Sequence, residues 1–153
     1  ATVSATNDAK KLAEQAAKAV QADTTEWIAP TAEKEEETCK PSMEEAVKAK
    51  LKTDLEKADK YVWYACYKSE DVKNAAQAKK IYELLVDEGE INTAAALNSD
   101  KVVDKKDGEK TLKPSAGNKF ELGLKTFTKG TGKDKTEYTV VIVTCKAVYT
   151  EVK

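Results

Sequence analysis

The sequence predicts an α+β or three-layer domain: helices first, then helix alternating with strand, then a terminal β-hairpin. Three observations carry this. Apolar residues recur every three or four positions in three separate segments. The aromatic run Tyr61-Val62-Trp63-Tyr64-Ala65-Cys66-Tyr67 breaks that period. The last third of the chain alternates apolar with charged residues and then becomes continuously apolar, the pattern of a half-buried strand followed by a central one.

The elements follow in order. Residues 7–23 place Ala9, Leu12, Ala13, Ala16 and Val20 on one stripe, an amphipathic helix whose alanine face permits close approach to a neighbour. Residues 26–38 form a connector containing Trp27, Pro30 and the acidic run 33–37. A second helix is expected from Ser42, which makes a capping box with Glu45 while Pro41 stands outside. Val47, Leu51, Leu55 and Ala58 form its stripe. The aromatic segment 61–67 reads as a buried strand. Ser69 has the form of an N-cap for a helix through Val72, Ala75, Ala78, Ile81, Tyr82 and Leu85, with Gly89 at its end. Residues 90–117 are polar, with turn signals at Asp107-Gly108 and Pro114. So long a stretch implies a hidden short element, a helical turn over 91–97 being the best candidate. Residues 119–128 alternate, with Phe120, Leu122 and Leu124 on one face; 129–135 form a Gly/Lys loop; 138–149 form a long strand. The last two strands are expected to pair antiparallel, the second lying centrally in the sheet.

With 153 residues, a single domain spanning 1–153 is expected. All 26 basic residues are lysine, and histidine and arginine are absent. The lack of imidazole excludes Ser-His-Asp and Cys-His catalysis and His-ligated metals. The lack of guanidinium excludes bidentate recognition of phosphate, carboxylate or guanine. A net charge of −1, with lysines interspersed among acids, argues against nucleic-acid binding. No apolar run reaches the roughly 18 residues that a membrane helix needs. Ala1-Thr2-Val3-Ser4 has neither the basic nor the apolar region of a secretory leader, and no initiator methionine, so a processed chain is expected.

Four constellations bear on chemistry. Gly130-Thr131-Gly132-Lys133 invites a phosphate-loop reading, but Phe127 stands where the first glycine belongs and Asp134 where Ser or Thr belongs. Asp100, Asp104, Asp107 and Gly108 suggest a calcium loop, yet Val103 and Lys105 occupy ligand positions. Tyr61, Trp63, Tyr64 and Tyr67 could stack bases or sugars, but Val62, Ala65 and Cys66 intervene where basic residues would be expected, and a core strand is preferred. Paired carboxylates could serve as acid and base without histidine, yet none of the 27 acidic residues is set among apolar neighbours. No catalytic residue, cofactor or metal ligand is therefore expected, and the chain is read as no enzyme. Asn7, Asn74, Asn92, Asn98 and Asn118 all lack the hydroxyl residue of a glycosylation site.

Cys39, Cys66 and Cys145 are too few and too widely spaced for a zinc site. They are disulfide candidates: in an oxidising compartment, one pair and one leftover thiol, with the pairing open. In a reducing compartment all three are buried thiols.

Several segments, in order, resemble the surface antigens of Eimeria-type coccidian parasites. Asn7-Asp8-Ala9-Lys10-Lys11-Leu12-Ala13 looks like that family's opening helix, and Trp27 followed by Glu37-Thr38-Cys39-Lys40 resembles its Trp-to-Cys segment. Tyr61-Val62-Trp63-Tyr64 is similar to its aromatic strand, and Ala75-Ala76 through Tyr82 to its third helix. Val140-Val141-Ile142-Val143-Thr144-Cys145 resembles its terminal strand ending in Val-Thr-Cys. The family usually carries six cysteines where this chain has three. The resemblance implies a three-layer αβα sandwich, CAP-like, with a mainly antiparallel central sheet and a C-terminal β-hairpin. It implies a non-catalytic parasite cell-surface antigen, extracellular, held by a lipid (GPI) anchor attached beyond Lys153. Its implied partner is the host cell surface or a host protein, and its expected state is a monomer. The alternative is a small secreted α+β binding or protease-inhibitor domain, cystatin-like, although the loop motif Gln-x-Val-x-Gly is absent.

Overall fold

The computed structural model describes residues 2–22, 41–69, 96–130 and 132–152. The chain opens with β1 (Thr2–Ala5) and enters α1 (Asn7–Ala22) through Thr6. The Thr6 hydroxyl accepts from the Ala9 amide at 3.2 Å, satisfying one of the donors that a helix start leaves unpaired. Ala9, Leu12, Ala13, Ala16 and Val20 are buried as the periodicity predicts, together with Ala17. At the other end of α1 the Lys129 ammonium donates to the Val20 carbonyl at 3.0 Å, tying the helix terminus to the sheet.

The second helical segment differs in detail from its expectation. Helix α2 spans Pro41–Lys50, so Pro41 stands inside the first turn, where its missing N–H costs no hydrogen bond. A short α3 (Lys52–Leu55) continues it. Val47, Leu51 and Leu55 are buried as one stripe, but Ala58 leaves it, with φ of 56°. That left-handed residue turns the chain into β2 (Lys60–Lys68).

The remaining strands are β3 (Lys105–Asp107), β4 (Lys110–Lys129) and β5 (Thr136–Glu151). The sheet order is β1-β4-β5-β2, with β3 on β4, so β5 is central as expected. All pairings are antiparallel except β1 with β4, which run parallel from Thr2 opposite Lys119 to Ala5 opposite Leu122. The fold is thus mixed α+β with a mostly antiparallel open sheet. Strand β4 begins at Lys110 rather than at 119, passing through Pro114, a turn signal in the sequence, and Gly117. Both fit through a bulge: Ala116 pairs with Ala147 and Phe120 with Cys145, leaving Gly117, Asn118 and Lys119 opposite Lys146.

Strand alternation sends side chains to two cores. On one face Val62, Tyr64, Cys66, Val140 and Ile142 pack with the helical stripes of α1, α2 and α3. On the other, Tyr61, Trp63, Phe120, Val141, Val143 and Cys145 pack with Ala96 and Val102. Tyr61, Trp63 and Tyr64 are therefore core residues, and the Tyr67 side chain lies outside the described residues. So does most of the helix expected from Ser69; Ser69 itself is buried, its hydroxyl 2.9 Å from that of Thr139. The helical turn expected over 91–97 falls largely outside the described residues, and 96–101 is a run of turns.

Candidate functional site

That turn segment builds a cleft to which the turn and the helices α2 and α3 all contribute charged groups. Asn98 is buried at 1 % exposure and acts as a short surrogate strand on the outer edge of β2. Its Nδ2 donates to the Lys60 carbonyl at 2.7 Å, and its Oδ1 accepts from the Val62 amide at 3.1 Å. The Leu97 amide adds a bond to the Val62 carbonyl at 2.7 Å. Clamped this way, 96–101 faces α2 and α3 across a cleft of about 720 Å³.

Leu55, Ala96 and Leu97 supply apolar lining. Lys48, Lys52 and Lys101 bring ammonium groups, and Glu44, Glu56 and Asp100 bring carboxylates. Glu44 is half-buried, and loss of hydration there raises its carboxyl above the ordinary value of 4.5; Lys48 opposes the shift and Glu45 adds to it. Apolar lining with charges of both signs suits an amphipathic or zwitterionic group. Asn98 and Ser99 add an amide and a hydroxyl to the lining, which holds no thiol and no imidazole. Among the described residues no group of three Cys, Asp or Glu converges as a metal site.

The residues singled out in the sequence do not assemble here. Cys39 lies outside the described residues. Cys66 and Cys145 are buried on opposite faces of the sheet. Cys66 pairs in register with Val140, five positions from Cys145, so the two are about 17 Å apart along β5. A disulfide requires Cα atoms within about 7 Å, so of the three possible pairings Cys66 with Cys145 cannot form. Burial raises the Cys145 thiol above its ordinary value, and the nearby backbone of Gly117 and Lys119 works against that rise. Asp104, Asp107 and Gly108 lie around the β3–β4 turn, whereas Asp100 belongs to the cleft. Gly132, Lys133 and Asp134 form a short 3₁₀ turn between β4 and β5.

The cleft residues escaped sequence reading because a lysine or glutamate on a helix is ordinarily a solvated residue. The available signal was the four-residue step Glu44, Lys48, Lys52, which places them on one helical face. Among the described residues no helix is long and apolar enough to cross a membrane. No protein-family model, curated protein or solved structure matches this chain.

Proposed function

We propose that this chain is a non-catalytic cell-surface antigen of the coccidian type, with a CAP-like αβα sandwich, extracellular and lipid-anchored, which contacts host cells or host proteins. The observation that carries the reading is burial of the central strand on both sides. Val140 and Ile142 are fully buried on one face, Val141 and Val143 on the other, as the middle layer of three requires. This strand is the segment whose Val-Thr-Cys ending carries the resemblance.

A cystatin-like inhibitor is the second reading. In its favour, α1, α2 and α3 all pack on a single face of the sheet. The inhibitor's loop motif is missing, which ranks it second.

The test is made on the native protein in its own cell. Surface biotinylation followed by phosphatidylinositol-specific phospholipase C should release the chain into the medium, and its precursor should carry a leader and an anchor signal. Retention inside the cell, with all cysteines reduced, would overturn the antigen reading. Tight inhibition of a cysteine protease would favour the second.

A further inference from the structure

Among the described residues, several stretches of this sheet's edge carry devices that limit strand pairing. Leu97 and Asn98 clamp the outer edge of β2. The outer edge of β4 between β3 and β1 carries Pro114 and the bulge at 117–119. Strands β1 and β3 are only four and three residues long. Short strands, prolines and bulges are the usual devices against unwanted strand pairing. Among the described residues none of them protects β5 where it outruns β2. Strand β2 starts at Lys60, opposite Lys146, so 147–151 continue past it.

Hydrogen-bond parity shows which backbone groups face that open side. The Val152 amide donates to the Thr111 carbonyl at 3.0 Å, so Val148, Thr150 and Val152 turn their backbone groups toward β4. Tyr149 and Glu151 turn theirs outward. The Ala147 amide obeys the same parity, donating to the Asp59 carbonyl at 3.1 Å. Among the described residues three large hydrophobic side chains are exposed; one of them, Val148, lies on this run and another, Val152, directly follows it.

We infer that a second copy of this chain pairs antiparallel with this edge, about a two-fold axis at Thr150. A two-fold perpendicular to the sheet preserves faces, so it pairs residues of like parity. An axis at Tyr149 or earlier drives the incoming strand onto Ala147, where Asp59 already sits. An axis at Glu151 opposes two like charges. An axis further along no longer sets Val148 opposite Val152. At Thr150, Tyr149 of each copy exchanges both backbone bonds with Glu151 of the other, using all four outward groups on each strand. The same register sets Val148 opposite Val152 twice, covering both exposed valines. No like charges oppose one another. This dimer replaces the monomer expected from the sequence and is independent of the antigen reading.

Sedimentation equilibrium of the intact chain up to about 1 mM tests it, a range that captures dissociation constants down to weak millimolar pairing. A monomer–dimer equilibrium is expected. Val148→Lys with Val152→Lys should weaken it at least tenfold, with an unchanged thermal melt because both side chains are solvent-exposed. Thr150→Cys, a position whose side chain is exposed and self-paired, should oxidise to a covalent dimer, and Tyr149→Cys should not. If the valine variant fails to fold, the two cysteine variants decide. A monomer throughout the concentration range, a valine variant that folds and dimerises like the parent, or equal crosslinking at 149 and 150 would overturn the inference.

Discussion

A Cβ placed on Gly123 would lie 2.2 Å from both the carbonyl carbon and the carbonyl oxygen of Ala9. Strand β4 and helix α1 therefore touch backbone to backbone, which explains a glycine inside a long strand. The alanine face of α1 makes the same approach from the other side. Since the clash is with backbone, no rotamer can relieve it. Gly123→Ala should cost about 2–4 kcal/mol through overpacking, lowering the melting temperature by roughly 5–15 °C. Thermal denaturation followed by circular dichroism measures it; an unchanged melt would show that α1 sits further from the sheet.

Asn98 satisfies two backbone groups of β2 with one buried amide. Asn98→Ala leaves the Lys60 carbonyl and the Val62 amide without these partners, at a cost of about 2–4 kcal/mol. Urea denaturation gives the stability change. Hydrogen exchange gives its location: the Val62 amide should exchange at least tenfold faster, while amides in the β4–β5 ladder keep their relative protection.

Glu44 provides a pH signature for the cleft. Its carboxyl in the folded chain is raised above 4.5, chiefly by burial. The folded state then holds that proton more tightly than the unfolded state, so this group's contribution to stability falls as pH rises through the window just above 4.5. Glu44→Gln should remove that slope and leave the protein relatively more stable at neutral pH than at pH 4. NMR titration of the Glu44 carboxyl, with denaturation of both proteins across pH 4–7, checks the sign. A carboxyl titrating at or below 4.5 would refute it.

The cysteines make a chemical prediction. Peptide mapping of non-reduced protein should find no Cys66–Cys145 crosslink, because the sheet itself separates the two sulfurs. Any disulfide within one chain must include Cys39. In the native state Cys145 should react with iodoacetamide at least a hundredfold more slowly than in denaturant, since it is 1 % exposed and burial disfavours its thiolate.

Local patterns determined much of this molecule. The stripe from Ala9 to Val20 and the buried series Val47, Leu51, Leu55 were legible because side-chain spacing on a helix is a property of neighbours in sequence. The apolar run 140–143 announced a strand covered on both faces for the same reason. Tertiary structure alone decided the rest. Strand β1 is four residues with only Val3 and Ala5 apolar, too short for a period, and it exists because β4 offers it a parallel edge. Pro114 reads locally as a turn signal, yet β4 runs through it, because Pro114 needs no donor on its outward side and the bulge at 117–119 absorbs the change of register. Glu44, Lys48 and Lys52 were visible as one helical face, but only the Asn98 clamp sets 96–101 opposite them. Periodicity records which way a side chain points; which strand or loop it meets depends on contacts between residues far apart in the chain.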